Sequence, residues 1–192
     1  MDVEIVLYEG FDELDAIGPF EVFENADSRG GAFDVSLVAL DPAETVTASH
    51  GLRVGVDGTL GRPDLLVVPG GGWNDRSDAG ARAEVTDGRL PEAIADRHDG
   101  ERTIASVCTG GMILAHAGVL EGRTAVTHRG ALDDLRAFDV EVREERVVDD
   151  GDVVTAGGVT SGIDLALALV ERFDGPAVAD AVADGMEYER RG

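Results

Sequence analysis

The chemistry available to this chain converges on one residue. Cys108 is its only cysteine and sits in the stretch 104–112, IASVCTGGM. A lone cysteine reads first as a small apolar filler, because free cysteine is among the most buried residue types. Its setting argues otherwise. An apolar run leads into Ser106-Val107-Cys108-Thr109-Gly110, followed by a helical pattern. Strand, small-x-Cys-x-Gly, helix is the layout of a nucleophile elbow, in which small neighbours allow a strained turn that projects the side chain above a sheet. The start of the helix behind it would favour a thiolate and lower its pKa.

Partners for such a nucleophile are present elsewhere in the chain. Asp15 follows the first apolar run near a helix mouth and could share a proton with the thiol or with a bound water; Glu9, Asp12 and Glu13 crowd the same segment and compete for that role. Gly70-Gly71-Gly72 closes another apolar run. It is neither a Walker loop nor a dinucleotide fingerprint, and its bare N–H groups, with that of Thr109, could face a developing oxyanion. Of the four histidines, His128 ends an extended segment and could reach the site. His116 lies about two helical turns beyond Cys108 and reads as structural, while His50 and His98 read as surface. No histidine spacing suggests a metal, and one cysteine allows neither an internal disulfide nor a multi-cysteine zinc site.

The elements that would carry these residues follow from periodicity. VEIVLY (3–8), FDVSLVAL (33–40), DLLVV (64–68) and RTIASVC (102–108) read as strands, and short extended pieces flank a His50-Gly51 turn. Helices are expected from near Gly18, because proline at 19 suits a first helical turn, and over 79–98, 109–117, 161–173 and 175–188. Ser161 and Asp164 have the spacing of a capping box. Val/Ile/Leu runs without alternation, interleaved with helices, indicate a mostly parallel sheet covered on both faces. The expectation is one doubly wound, flavodoxin-like α/β/α sandwich spanning 1–192, with ligands beyond the carboxyl ends of the strands at the switch in strand order. Asp15, the glycine run and Cys108 all follow strands.

Composition narrows the setting. The 39 acidic residues outweigh 16 basic ones for a net charge of −23, and all 16 are arginine. Such a surface repels nucleic acid and anionic membranes. With 43% hydrophobic residues and clear periodicity, disorder is not the explanation; adaptation to high salt, which screens carboxylate repulsion, is. Full structure in salt-free buffer would contradict that. The N-terminus shows no leader and no window is apolar enough to span a membrane, so a cytoplasmic location is expected.

The motifs DELDAIGPFEVF, DLLVVPGGG, SVCTGGMILAHAGVLEGRTAVTHRG and GGVTSGIDLALALV resemble those of the ThiJ/PfpI (DJ-one-like) superfamily of the class I glutamine-amidotransferase-like fold, from Val3 to about Phe173. Leu14-Asp15-x-x-Gly18-Pro19, Cys108-Thr109-Gly110, Thr127-His128 and 157–164 are most similar to the isocyanide hydratase branch and to ligand domains of AraC-type regulators. The resemblance implies Cys108 as nucleophile, Asp15 as its acidic partner, the amides of Gly71 and Thr109 as an oxyanion site, and Val159 and Thr160 as pocket lining beside Gly70, Gly72 and His128. It also implies a homodimer with the pocket near the subunit interface, and no cofactor. Protease-like members carry histidine directly after the cysteine; Thr109 there argues against a Cys-His peptidase. Arg129 stands where the branch often has tryptophan, and no helix-turn-helix follows Tyr188, so a complete AraC-type regulator is not expected. The expected activity is hydration of a small electrophile such as an isocyanide to an N-formamide. A glyoxalase or deglycase-type reaction on methylglyoxal or its adducts, and a non-catalytic redox or ligand sensor, are the alternatives.

Overall fold

A computed structural model describes residues 1–191. In chain order its strands are β1 (Asp2–Leu7), β2 (Asp34–Ala39), β3 (Thr45–Thr47), β4 (Arg53–Gly55), β5 (Gly58–Thr59), β6 (Leu65–Val68), β7 (Thr103–Val107), β8 (Arg123–Ala125), β9 (Val140–Val142), β10 (Val147–Asp150) and β11 (Val153–Ala156). The helices are α1 (Glu13–Asp27), α2 (Ala81–Asp87), α3 (Arg89–Ala95), α4 (Gly110–His116), α5 (Leu132–Leu135), α6 (Ser161–Asp174) and α7 (Pro176–Gly185).

Seven strands form the central sheet in the order β10-β11-β7-β6-β1-β2-β5. All neighbours run parallel except β10, which pairs antiparallel with β11 at one edge. The buried strands are apolar on both faces, as a sheet covered on two sides requires: every residue of β6 and β7 is buried. Helices α1, α6 and α7 pack together on one face and α2–α5 on the other. The chain steps from β1 outward to β2 and then returns to place β6 on the other side of β1. The crevice at that reversal is where ligands gather in open α/β sheets.

Three local features depart from the pattern-based expectation. Helix α1 begins at Glu13, not near Gly18, because Asp12 caps it by accepting from the Leu14 N–H. Pro19 therefore lies inside the helix, and Asp15 is in its first turn. The 79–98 segment is two short helices broken at Gly88, whose φ of 83° ends α2. At α6 the cap position is Thr160, and Ser161 is already helical, so no capping box forms. Asp164 instead accepts from Arg146 Nε, from Tyr188 Oη at 2.8 Å and from the Arg191 N–H at 2.9 Å.

Candidate active site

Cys108 is the first of the two residues between β7 and α4, with φ +56°. Left-handed backbone is uncommon for a residue with a Cβ and carries strain. The turn is held from both sides. The Cys108 N–H donates to the carbonyls of Ala156 (3.1 Å) and Gly157 (2.8 Å) at the end of β11. Its own carbonyl accepts from Thr127 Oγ1 at 2.8 Å and the His128 N–H at 3.3 Å. A strained elbow clamped in this way presents the thiol at the crevice, where Cys108 is 5% exposed.

The glycine loop after β6 exists to let the elbow come close. A Cβ on Gly70 would lie 2.4 Å from the Thr109 nitrogen, so any side chain there would push the two loops apart. Gly71 adopts φ 124°, and its carbonyl accepts from the Ala81 N–H at the start of α2. Its N–H, expected to face an oxyanion, donates to Thr109 Oγ1 at 2.9 Å. The Gly71 amide is thus engaged by the elbow itself, while the Val159 and Thr109 amides act on the Cys108 sulfur. A threonine hydroxyl has acceptor capacity that a plain turn lacks, and here it satisfies the Gly71 donor internally.

Asp15 is fully buried beneath the thiol. Its Oδ2 accepts from the Gly70 N–H at 2.9 Å, whereas Oδ1 has no conventional hydrogen-bond donor. Burial, reinforced by the charge of Asp12, holds this carboxyl well above the usual carboxylate range; the Gly70 N–H and the Cys108 thiol, which interact with it, act in the opposite sense. The sequence places a low-pKa thiolate at Cys108; the structure does the reverse. Burial, and then the charge that Asp15 would carry, push the thiol up, and the Val159 and Thr109 amides offset only part of this. The local helix α4 has seven residues, too little to outweigh that desolvation. Both shifts favour the protonated form of each group. Of the three buried acids in the described residues, Glu4 is eased by Arg97 and Asp164 by Arg146. None of the groups acting on Asp15 is a cation. Nearby, the buried Tyr8 hydroxyl donates to the Pro69 carbonyl at 2.6 Å and steadies the loop. Burial and the neighbouring Asp15 and Cys108 push its phenol up as well.

Above this pair opens a cavity of about 360 Å³, walled by Cys108, Thr109, Gly71, Gly72, His128 and Val159, and also by Trp73, Asn74, Asp75, Asp12, Ser49 and His50. Gly70 and Asp15 lie under its floor instead of lining it. Thr160 lies outside: it is exposed, and its hydroxyl accepts from Arg146 Nη2 at 3.1 Å. Arg129 also lies off this cavity, bordering a second one of about 260 Å³ with Thr127, Arg146 and Gly158. His128 is fixed by the Gly130 N–H, which donates to its Nδ1 at 3.0 Å, and by Asn74 Nδ2 at 3.0 Å. Because Nδ1 accepts, the ring proton sits on Nε2. His116 is structural, bonded to the Met112 carbonyl at 2.8 Å and packed between Trp73 and Phe138. His98 is partly buried against Asp152 at 2.8 Å in a pair shared with Arg123.

His50 lies at the surface, as expected, but it is not isolated. Its Nδ1 meets Glu13 Oε2 at 2.7 Å, and its N–H donates to Glu13 Oε1 at 2.8 Å. The Asp12, Glu13 and His50 ligand atoms lie within 4.8 Å of one another, a grouping hidden by their separation along the chain. The β3–β4 turn is also tied to the segment before α1 by the Ser49 N–H, which donates to the Phe11 carbonyl at 2.8 Å.

Residues 1–172 match the DJ-1/PfpI family. Isonitrile hydratase of Pseudomonas putida is 32% identical over 191 residues, covering 98% of this chain and 78% of that protein. The Parkinson disease protein 7 homolog of Danio rerio is 29% identical over 93% of this chain and 92% of its own length. Among solved structures, a ThiJ/PfpI family protein from Pseudomonas syringae superposes with a TM-score of 0.85 at 30% identity, over all of this chain and 76% of that one.

Proposed function

The chain belongs to the DJ-1/PfpI family, and from that premise we propose that it is a cysteine-dependent hydratase of isonitriles or closely related small electrophiles. The observation that carries this reading is the buried, cation-free Cys108–Asp15 pair beneath a small cavity. An isonitrile carbon must gain a nucleophile and a proton at the same atom. A thiol in contact with a carboxyl group beneath it supplies both. The Cys108 sulfur bonds to the carbon, the carbon takes a proton from the thiol–carboxyl pair, and a thioimidate results. Water then adds to that carbon, the C–S bond breaks, and the N-formamide leaves as the thiol regains its proton from Asp15.

The alternatives fit less well. A redox sensor needs a solvent-accessible thiol, and Cys108 is buried. A glyoxalase reaction would call on His128 as acid or base, and both neighbours of its Nδ1 hold the ring in a fixed position. Thr109 in place of histidine leaves no Cys-His pair for peptide cleavage. A homodimer remains part of this reading, as the family resemblance implies. In a formamide-release assay, wild type is expected to turn over a simple alkyl isonitrile, while Cys108→Ala loses turnover by more than about 1,000-fold with an unchanged circular dichroism spectrum. Unchanged turnover in the variant would remove the nucleophile assignment.

A further inference from the structure

The mechanism leaves one proton transfer without an agent. Sulfur at the cavity floor holds the substrate carbon, so the thioimidate nitrogen and its substituent extend toward the mouth. Asp15 lies under the floor and cannot serve that end. The mouth carries one built acid–base unit. His50 lines the same cavity as Cys108, with its side chain 80% exposed and Nδ1 held by Glu13 Oε2 at 2.7 Å. Ser49 Oγ donates to Glu13 Oε2 at 3.1 Å and the His50 N–H holds Oε1, so the carboxylate is fixed on both oxygens. An imidazole whose Nδ1 is anchored by a carboxylate keeps Nε2 for proton traffic.

We propose that the His50–Glu13 pair is the solvent-side proton carrier of the hydration step, acting on the substrate nitrogen and the attacking water. This rests on the reading of Cys108 as nucleophile given above. The His50 imidazolium gives a proton to the thioimidate nitrogen, directly or through one water. Water adds to the activated carbon, and the neutral imidazole takes one of its protons. The resulting hydroxyl proton passes to Asp15 as Asp15 protonates the departing sulfur. The C=O bond forms, the C–S bond breaks, and both His50 and Asp15 end as they began. The charged and titratable groups facing His50 are Glu13 from α1, Asp12 at its cap and, across the cavity wall, Asp75 and His128. Glu13 raises the His50 pKa, so the reactive imidazolium persists to higher pH than for a free histidine.

The test combines a pH profile with chemical rescue on the full chain, using an alkyl isonitrile. His50→Ala is expected to lose about 100-fold in turnover, the low end of general acid–base contributions, and to lose the alkaline limb of the rate profile. Because the side chain is exposed, imidazole added to the buffer is expected to restore much of the rate. Glu13→Gln is expected to shift the alkaline limb to lower pH. Intact-mass analysis separates this claim from the nucleophile claim: the His50 variant should still form, and now accumulate, the Cys108 adduct. Wild-type turnover and an unchanged pH profile in His50→Ala would overturn the proposal, as would activity abolished by a chelator and restored by a divalent cation. Absence of any adduct in the wild type would instead overturn the underlying function.

Discussion

Cys108 and Asp15 each occupy a state that folding alone would not choose. One has a left-handed backbone with a Cβ, the other a buried carboxyl with no cation near it. Groups held in such states cluster at functional sites. For Asp15 the sign of the linkage can be worked out. Its folded pKa is raised, so the native state binds the proton more tightly than the unfolded chain does. Stability from this group is full below the unfolded aspartate value of about 3.9 and is lost as pH rises through the folded one. Asp15→Asn keeps an acceptor for the Gly70 N–H and removes the ionisation. At pH 7 the variant is therefore expected to melt at or above the wild-type temperature while losing turnover, and the gain should vanish near pH 3. A lower melting temperature at pH 7 would show that Asp15 is a structural carboxylate. Cys108 could be singled out from its flanking small residues alone. The direction of its pKa could not, because it depends on desolvation by residues far apart in the chain.

At the scale of elements, the strand runs and the three strand ends are legible as sequence patterns, since unalternating Val/Ile/Leu segments have few other uses. The His50-Gly51 turn between β3 and β4 is legible too. What it packs against is not: its contact with the start of α1 brings residue 50 to residue 13, and no local period encodes that. The start of α1 was obscured by Pro19, which suits a first turn better than the interior it occupies, and the Asp12 cap outweighs that preference. The glycine run has a use that its composition does not distinguish from a turn. Gly70→Ala would set a methyl 2.4 Å from the Thr109 nitrogen. The expected cost is about 1–3 kcal/mol, the range for overpacking, with turnover reduced more than stability because the elbow moves. Calorimetry and a rate measurement on the same preparation check this, and a variant with wild-type stability and rate would contradict the close approach.

For the whole molecule, the net charge of −23 lies on the surface: among the described residues only the acids Glu4, Asp15 and Asp164 are buried. We propose that this distribution reflects adaptation to high salt, which would give the acids no role in recognition. Among the described residues no helix is long and apolar enough to cross a membrane. The reversal in strand order between β2 and β6 gathers the ends of β1, β6 and β7 into one crevice, and the rest of the sheet serves to hold it. The central claim is that Cys108 bonds covalently to the substrate carbon, and intact-mass spectrometry of the whole protein tests it most directly. After a short exposure to an alkyl isonitrile and acid quench, wild type is expected to gain the mass of one isonitrile, located to the peptide containing Cys108, and Cys108→Ala to gain none. Turnover with no adduct on the wild type under any quench time, or an equal mass gain in the alanine variant, would contradict it.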